Sequence, residues 1–546
     1  MSSPSEYDVL IRGGMIYDGL GGSPSGGDIG LVGDRIAAIG RLDGARGRQE
    51  IDARGLAAAP GFINMLSWAG ESLIQDGRSQ SNIRQGVTLE VLGEGRSMGP
   101  LSPEMKAEAL SRQGRIRYDI EWDTLGGYLD WLVRRGVSCN VASFVGATSV
   151  RVYVLGYADR PPNPGEQAQM CALVRQAMEE GAVGLSSALL YAPACYARND
   201  EIVALARAAA EYGGLYISHI RDEGSHLLEA LAELIGVARS AGIAAEVYHL
   251  KASGRDNWGK LDDAVALIEE ARAGGQRITA DMYTYPASAT GLDAAMPPWV
   301  QEGGHRAWVE RLRDPAIRAR VAREMATPND EWENTYLAAG SPEKVLLVGF
   351  RSEALRPLTG RTLAEVATMR GATPEETAID LVIEDDSDVG SVYFTMSEEN
   401  VRRQISLPWV SFGSDGASQA PEGIFLQAMP HPRAYGTFAR LLGKYVREER
   451  VIPLEEAVRR LTSLPAANLH LTGRGRLAPG CLADVVVFDP AAIQDHATFE
   501  RPHQYATGVK HVWVNGVQVL EQGQHTNARP GRVVRGPGWR GFSPLP

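Results

Sequence analysis

Apolar, strand-like runs alternate with helical segments through the middle of this chain, and that alternation constrains the fold more than any other feature. The runs read "GVTLEVLG", "VSCNVASFVG", "GAVGLSSAL", "GLYISHI", "AAEVYHL", "RITADMYTY" and "WVSFGSDG". Between them, stretches such as "NDEIVALARAAAEYG" and "DDAVALIEEARAGG" carry apolar residues at helical spacing. Strand–helix alternation repeated about eight times predicts an α/β chain with a parallel (β/α)₈ TIM-like barrel. The two ends have another texture. "YDVLIRGGMIYDG" and "GDIGLVGDRIAAIG" near the start, and "GCLADVVVFDP", "GVKHVWVNGVQVLEQG" and "PGRVVRG" near the end, are short strands parted by glycine turns. About 120 residues separate "DMYTYPASAT" from "WVSFGSDG", too many for one strand–helix unit. A helical insertion near 295–400, with its charged part around 301–345, is expected over the barrel mouth.

Charge and composition narrow the partners. A net charge of −12 leaves no basic footprint for nucleic acid or an anionic membrane surface. No apolar run reaches the roughly 18 residues of a membrane span, and "MSSPSEYDVLIRGG" lacks a basic start followed by an apolar core. Cys139, Cys171, Cys195 and Cys481 are scattered without a CxxC pair, as in a reducing compartment. The expectation is a cytoplasmic enzyme acting on a small molecule; the oligomeric state is open, and a homo-oligomer is compatible with it.

Four strand-like runs end in residues able to carry chemistry. His219 in "LYISHIRDEG" and His249 in "AEVYHLKASG" each close an apolar run ahead of a polar loop, the end at which barrel active sites are built. Either alone fits a hydrogen-bonded core histidine; equivalent positions on successive strands suggest a shared metal. Asp415 in "VSFGSDGAS" closes a third run and, read singly, also suits a turn aspartate capping a helix. Glu94 in "LEVLGEGRSMGP" closes a fourth and, singly, fits a solvated loop carboxylate. Together they offer two nitrogens and two carboxylates, a set for zinc or a similar ion with one carboxylate left for proton transfer. Lys251 and Arg221 each stand two residues beyond a histidine, where extended chain would place them on its side to bind a substrate carboxylate, or else to make ordinary salt bridges at the rim. Tyr283 could serve an oxyanion or merely pack, and Ser414 is a further substrate-side candidate.

With these residues placed, the chain resembles the amidohydrolase superfamily, specifically its D-aminoacylase (N-acyl-D-amino-acid deacylase) family. The resemblance runs nearly end to end, through "PGFI", "GAVGLSSALLYAP", "YISHIRDEG", "YHLKASG", "DMYTYPASAT", "HPRAYGTFARLLGKYVRE", "LTSLPAANL" and "HQYATGVKHVWVNG". It implies a barrel over 61–474 and a small β-sandwich domain from 1–60 with 475–546. It implies metal ligation by His219 and His249, proton transfer by Asp415, and carboxylate binding by Lys251. Two departures stand out. Where the family reads close to PGFIDxHxH, this chain reads "PGFINMLSW", so Leu66 and Trp68 replace the histidines of a second, weaker metal. The first histidine of the chain is His219, so nothing upstream can substitute for them. The family cysteine ligand falls within "GEGR", where Glu94 is the metal-binding side chain on offer, and "GAVGLSSAL" has no lysine to carbamylate. Trp68 is expected to fill space in the barrel core, with lining of the pocket as the alternative.

The expected activity is hydrolysis of a C–N amide bond, of an N-acyl-D-amino acid or a related carboxylate-bearing amide. A single metal-bound water and Asp415, acting as general base and then acid, would carry it. The expected cofactor is one divalent ion, zinc, with manganese or iron as alternatives because a carboxylate is a harder ligand than a thiolate. Acyl transfer, lactam or lactone opening, and a catalytically silent ligand-binding barrel are the competing readings.

Overall fold

In a computed structural model describing residues 6–540, eight parallel strands close into a barrel. They are Phe62–Asn64, Val87–Leu92, Asn140–Ser143 (continued by Val145–Gly146), Gly184–Ala188, Leu215–His219, Ala244–Val247, Ile278–Met282 and Val410–Phe412. The last strand meets the first through Met65 N–H to Phe412 O at 3.2 Å and Asp415 N–H to Leu66 O at 2.9 Å. Inward residues fill the barrel: Ile63, Met65, Leu66, Leu89, Val91, Phe144, Leu215, Ile217 and Tyr248 form one buried cluster. The Leu66 side chain, only 1% exposed, serves packing.

The connecting helices follow their sequence patterns. Pro164–Glu179 opens on a capping box, Asn163 with Glu166, and a proline in its first turn. Leu227–Ala241 buries Leu227, Ala230, Leu231, Leu234, Ile235 and Ala238, a stripe at the helical period that lies against the outer faces of the strands.

Both chain ends share one sheet. The strands Glu6–Ile16, Ser25–Val32, Arg35–Gly40, Arg46–Asp52 and Ala57–Pro60 join Val485–Phe488, Val509–Val514, Val517–Glu521 and Gln524–His525. This sheet curls over its own core of Val9, Ile11, Ile29, Leu31, Ile36, Val485, Val487 and Trp513. "PGRVVRG" departs from its expected strand role. It leaves the sheet and runs along the barrel, with Val141 N–H donating to Arg532 O at 3.0 Å and Val534 N–H to Val141 O at 2.8 Å. The expected outer limits of the terminal unit, residues 1–5 and 541–546, lie outside the described residues.

The insertion is not purely helical. Besides His305–Leu312, Pro315–Met325, Leu363–Arg370 and Pro374–Asp385, it holds an antiparallel sheet of Ser288–Gly291, Gly390–Tyr393 and Val345–Gly349. These strands have four or five residues each, too short for period-two alternation to reveal them. A separate core of Leu292, Trp308, Leu312, Val321, Val345, Leu347, Ile379 and Tyr393 holds the insertion together.

Candidate metal centre and active site

Leu215, Ile217 and His219 alternate along the fifth strand, so His219 continues the inward face at its open end. The sixth strand needs a different device. Ala245 and Val247 pack outward and Tyr248 inward, so simple alternation would turn His249 away. His249 instead adopts a left-handed φ of 35°, which breaks the alternation and returns its ring to the lumen. Asp415 is likewise left-handed, at 46°. Glu94 sits between Gly93 and Gly95, both at positive φ; a Cβ on Gly93 would overlap the Phe144 carbonyl and one on Gly95 the Ala188 methyl. That is the physical content of "GEG".

The three side chains converge. Glu94 Oε1 lies 3.2 Å from His219 Nδ1 and 2.9 Å from His249 Nε2, and all three residues are buried. Of the described residues, these alone bring together three or more metal-binding side chains. The donor set fits a divalent ion, which the structure does not include. Burial and Lys251 push the His249 imidazole down, yet the Glu223 and Glu94 carboxylates lift it to about 10, so the site calls for positive charge. His219 Nε2 is buried without a hydrogen-bond partner. Glu223 Oε1 stands 3.1 Å from His249 Nδ1, placed to accept its N–H and fix the ring while Nε2 faces the cluster.

Around this cluster lies a cavity of about 760 Å³ lined by Trp68, Glu94, His219, Glu223, His249, Lys251, Tyr283, Asp415 and Arg433. Lys251 Nζ donates to Glu223 Oε1 at 2.6 Å and lies 2.7 Å from His249 Nδ1. Asp415 is gripped from two sides: Trp68 Nε1–H donates to Oδ1 at 3.0 Å, and Arg433 Nη1 pairs with Oδ2 at 2.7 Å. Burial raises the Asp415 carboxyl above its ordinary range despite Arg433, as would suit a group able to take and return a proton. The Arg433 guanidinium and the Lys251 ammonium flank the Tyr283 ring at 4.5 and 5.8 Å from its centroid. Glu333, from the insertion, is pushed up to about 8 by burial and by the Glu223 and Asp222 charges.

Three sequence expectations change. Arg221 does not reach the cavity: the strand stops at His219, so alternation no longer governs the side chain two residues on. Its guanidinium donates to Cys195 O at 2.9 Å and Ala197 O at 3.0 Å and pairs with Glu233 at 2.9 Å. Arg221→Met is expected to lower stability by about 1–3 kcal/mol in urea unfolding while leaving KM within about twofold. Ser414 neighbours Asp415 but points the other way, its Oγ accepting from Asn64 Nδ2 at 2.8 Å between the first and last strands. Trp68 is not core: it is 53% exposed and forms part of the cavity wall. Glu223, four residues past His219, and Arg433 in "HPRAYG" carry no local signal of a role in the site; their partners are fixed only by tertiary contact.

A model of the amidohydrolase family matches residues 49–520. The D-aminoacylase of Alcaligenes xylosoxydans xylosoxydans is 34% identical over 537 residues, 98% of this chain and 98% of the relative. The crystal structure of N-acyl-D-glutamate deacylase from Bordetella bronchiseptica, complexed with zinc and a phosphonate mimic of the tetrahedral intermediate, superposes with a TM-score of 0.80. It is 32% identical and covers 97% of this chain and 100% of that one. A D-aminoacylase with a binuclear centre, described by one-metal activation and second-metal attenuation, matches equally at a TM-score of 0.80, 32% identity and the same coverage.

Proposed function

Since the chain belongs to the amidohydrolase family, we propose that it is a metal-dependent hydrolase of N-acyl-D-amino acids. The observation that carries this is the convergence of Glu94, His219 and His249 in one cavity with Asp415, Lys251 and Arg433. The stereochemistry and acyl substrate come from the relatives, a D-aminoacylase and an N-acyl-D-glutamate deacylase. Glu94, His219 and His249 would hold one ion, zinc in the first instance, and one-metal activation of the related D-aminoacylase supports a single-ion site. When bound, a divalent ion polarises an amide carbonyl and acidifies water. Asp415 takes a proton from the attacking water and delivers it to the departing nitrogen. Lys251 and Arg433, with the Tyr283 ring between them, form a cationic wall that binds the substrate carboxylate. The four cysteines are free, which supports a reducing cytoplasmic setting.

Turnover of N-acyl-D- against N-acyl-L-amino acids, with zinc and manganese supplied separately, tests the reading directly. Replacing the substrate carboxylate by a carboxamide is expected to lower kcat/KM roughly 10- to 100-fold, the worth of a charge-assisted hydrogen bond or two. In Lys251→Met that preference should shrink; an undiminished acid-to-amide ratio would remove Lys251 from carboxylate binding.

A further inference from the structure

We propose that Trp68 is a positioning residue: its indole N–H fixes the Asp415 carboxylate in the orientation that proton transfer requires. The inference rests on the hydrolase reading above. Trp68 occupies the place where the related sequence wording has a histidine ligand, and it donates to Asp415 Oδ1 at 3.0 Å. The two backbones are locked to one another beneath that contact. Asp415 N–H donates to Leu66 O at 2.9 Å, Trp68 N–H donates to Gly416 O at 3.0 Å, and Ser67 and Gly416 form a parallel bridge. Indole and carboxylate are therefore carried by one rigid seam where the barrel closes.

The two groups on Asp415 differ in what can displace them. Arg433 is a cation facing the cavity, so an incoming carboxylate competes with Asp415 for it and can free Oδ2. The indole N–H is neutral, donates only, and has no attraction for a free anion beyond an ordinary hydrogen bond. It stays on Oδ1 while Oδ2 handles the proton. The exposure of the ring argues the same way, since a tryptophan kept for packing would not leave 53% of its surface exposed on the cavity wall. A fixed hydrogen bond thus does in this chain what a side chain tied to a second metal cannot, because Leu66 and Trp68 offer no ligand.

The test compares Trp68→Phe, which keeps an aromatic ring and deletes the donor, with Trp68→Gln, which restores a neutral N–H donor, the metal content of both being measured. With the substrate the wild type turns over best, Trp68→Phe is expected to lose about 10- to 100-fold in kcat, with KM within about threefold and the bound-metal equivalents unchanged. Trp68→Gln should recover most of that loss. If Trp68→Phe keeps wild-type kcat, if both variants fall alike, or if the loss appears in KM or metal content, the positioning role is overturned. A wild-type enzyme inactive on every N-acyl amino acid would instead overturn the hydrolase reading before any variant is made.

Discussion

Asp415→Asn is expected to keep its divalent ion and lose about 10²- to 10⁴-fold in kcat, the range general acid–base catalysis contributes. The substitution preserves shape and one acceptor oxygen, turns the oxygen that pairs with Arg433 into a donor, and removes the ability to accept a proton. The groups around it predict retention of the metal: Glu94, His219 and His249 meet one another without Asp415, whose carboxylate is held by Trp68 and Arg433. The asparagine amide can still take the indole N–H on its carbonyl oxygen, so the seam between residues 66–68 and 414–416 should persist. Metal analysis beside single-turnover kinetics checks both halves. Full activity would end the proton-transfer role, and an ion lost together with activity would make Asp415 a ligand instead.

Much of this site is legible in the sequence because barrel chemistry gathers at strand ends, and strand ends are visible as apolar runs breaking into polar loops. His219, His249, Glu94 and Asp415 all sit at such breaks. What the sequence conceals is direction. Period-two alternation places His219 correctly but would turn His249 outward, and only its left-handed φ restores it. The same lapse of alternation past a strand end misplaces Arg221, and Ser414, also past its strand end, turns to Asn64 and away from the cavity that Asp415 enters. Trp68 is harder still. An aromatic residue on a barrel strand is usually core, and its donor role exists only because the first and last strands are neighbours in space. The small antiparallel sheet of the insertion has no periodic signature of its own, being assembled from segments some fifty residues apart.

Glu94→Ala is expected to release the metal and, with it, activity by on the order of 10³-fold or more, since metal-ion stabilisation of developing charge is worth several kcal/mol. One carboxylate oxygen faces both imidazoles at 3.2 and 2.9 Å, so its removal leaves two imidazole nitrogens that no longer share an anionic partner. Glycines on either side hold the loop where only a residue at 94 can reach them, and the next acid in the cavity, Glu223, is already engaged by Lys251 at 2.6 Å. Glu94→Cys separates ligation from charge. A thiolate is the softer donor, so zinc should bind more tightly while activation by manganese falls away, whereas the wild-type carboxylate should accept both ions. Titration of each variant with zinc and manganese, followed by atomic absorption and activity on the same samples, reads this out. Should Glu94→Ala hold a full equivalent of ion and turn over at the wild-type rate, the two histidines must find their third ligand elsewhere, and Asp415 becomes the candidate for it.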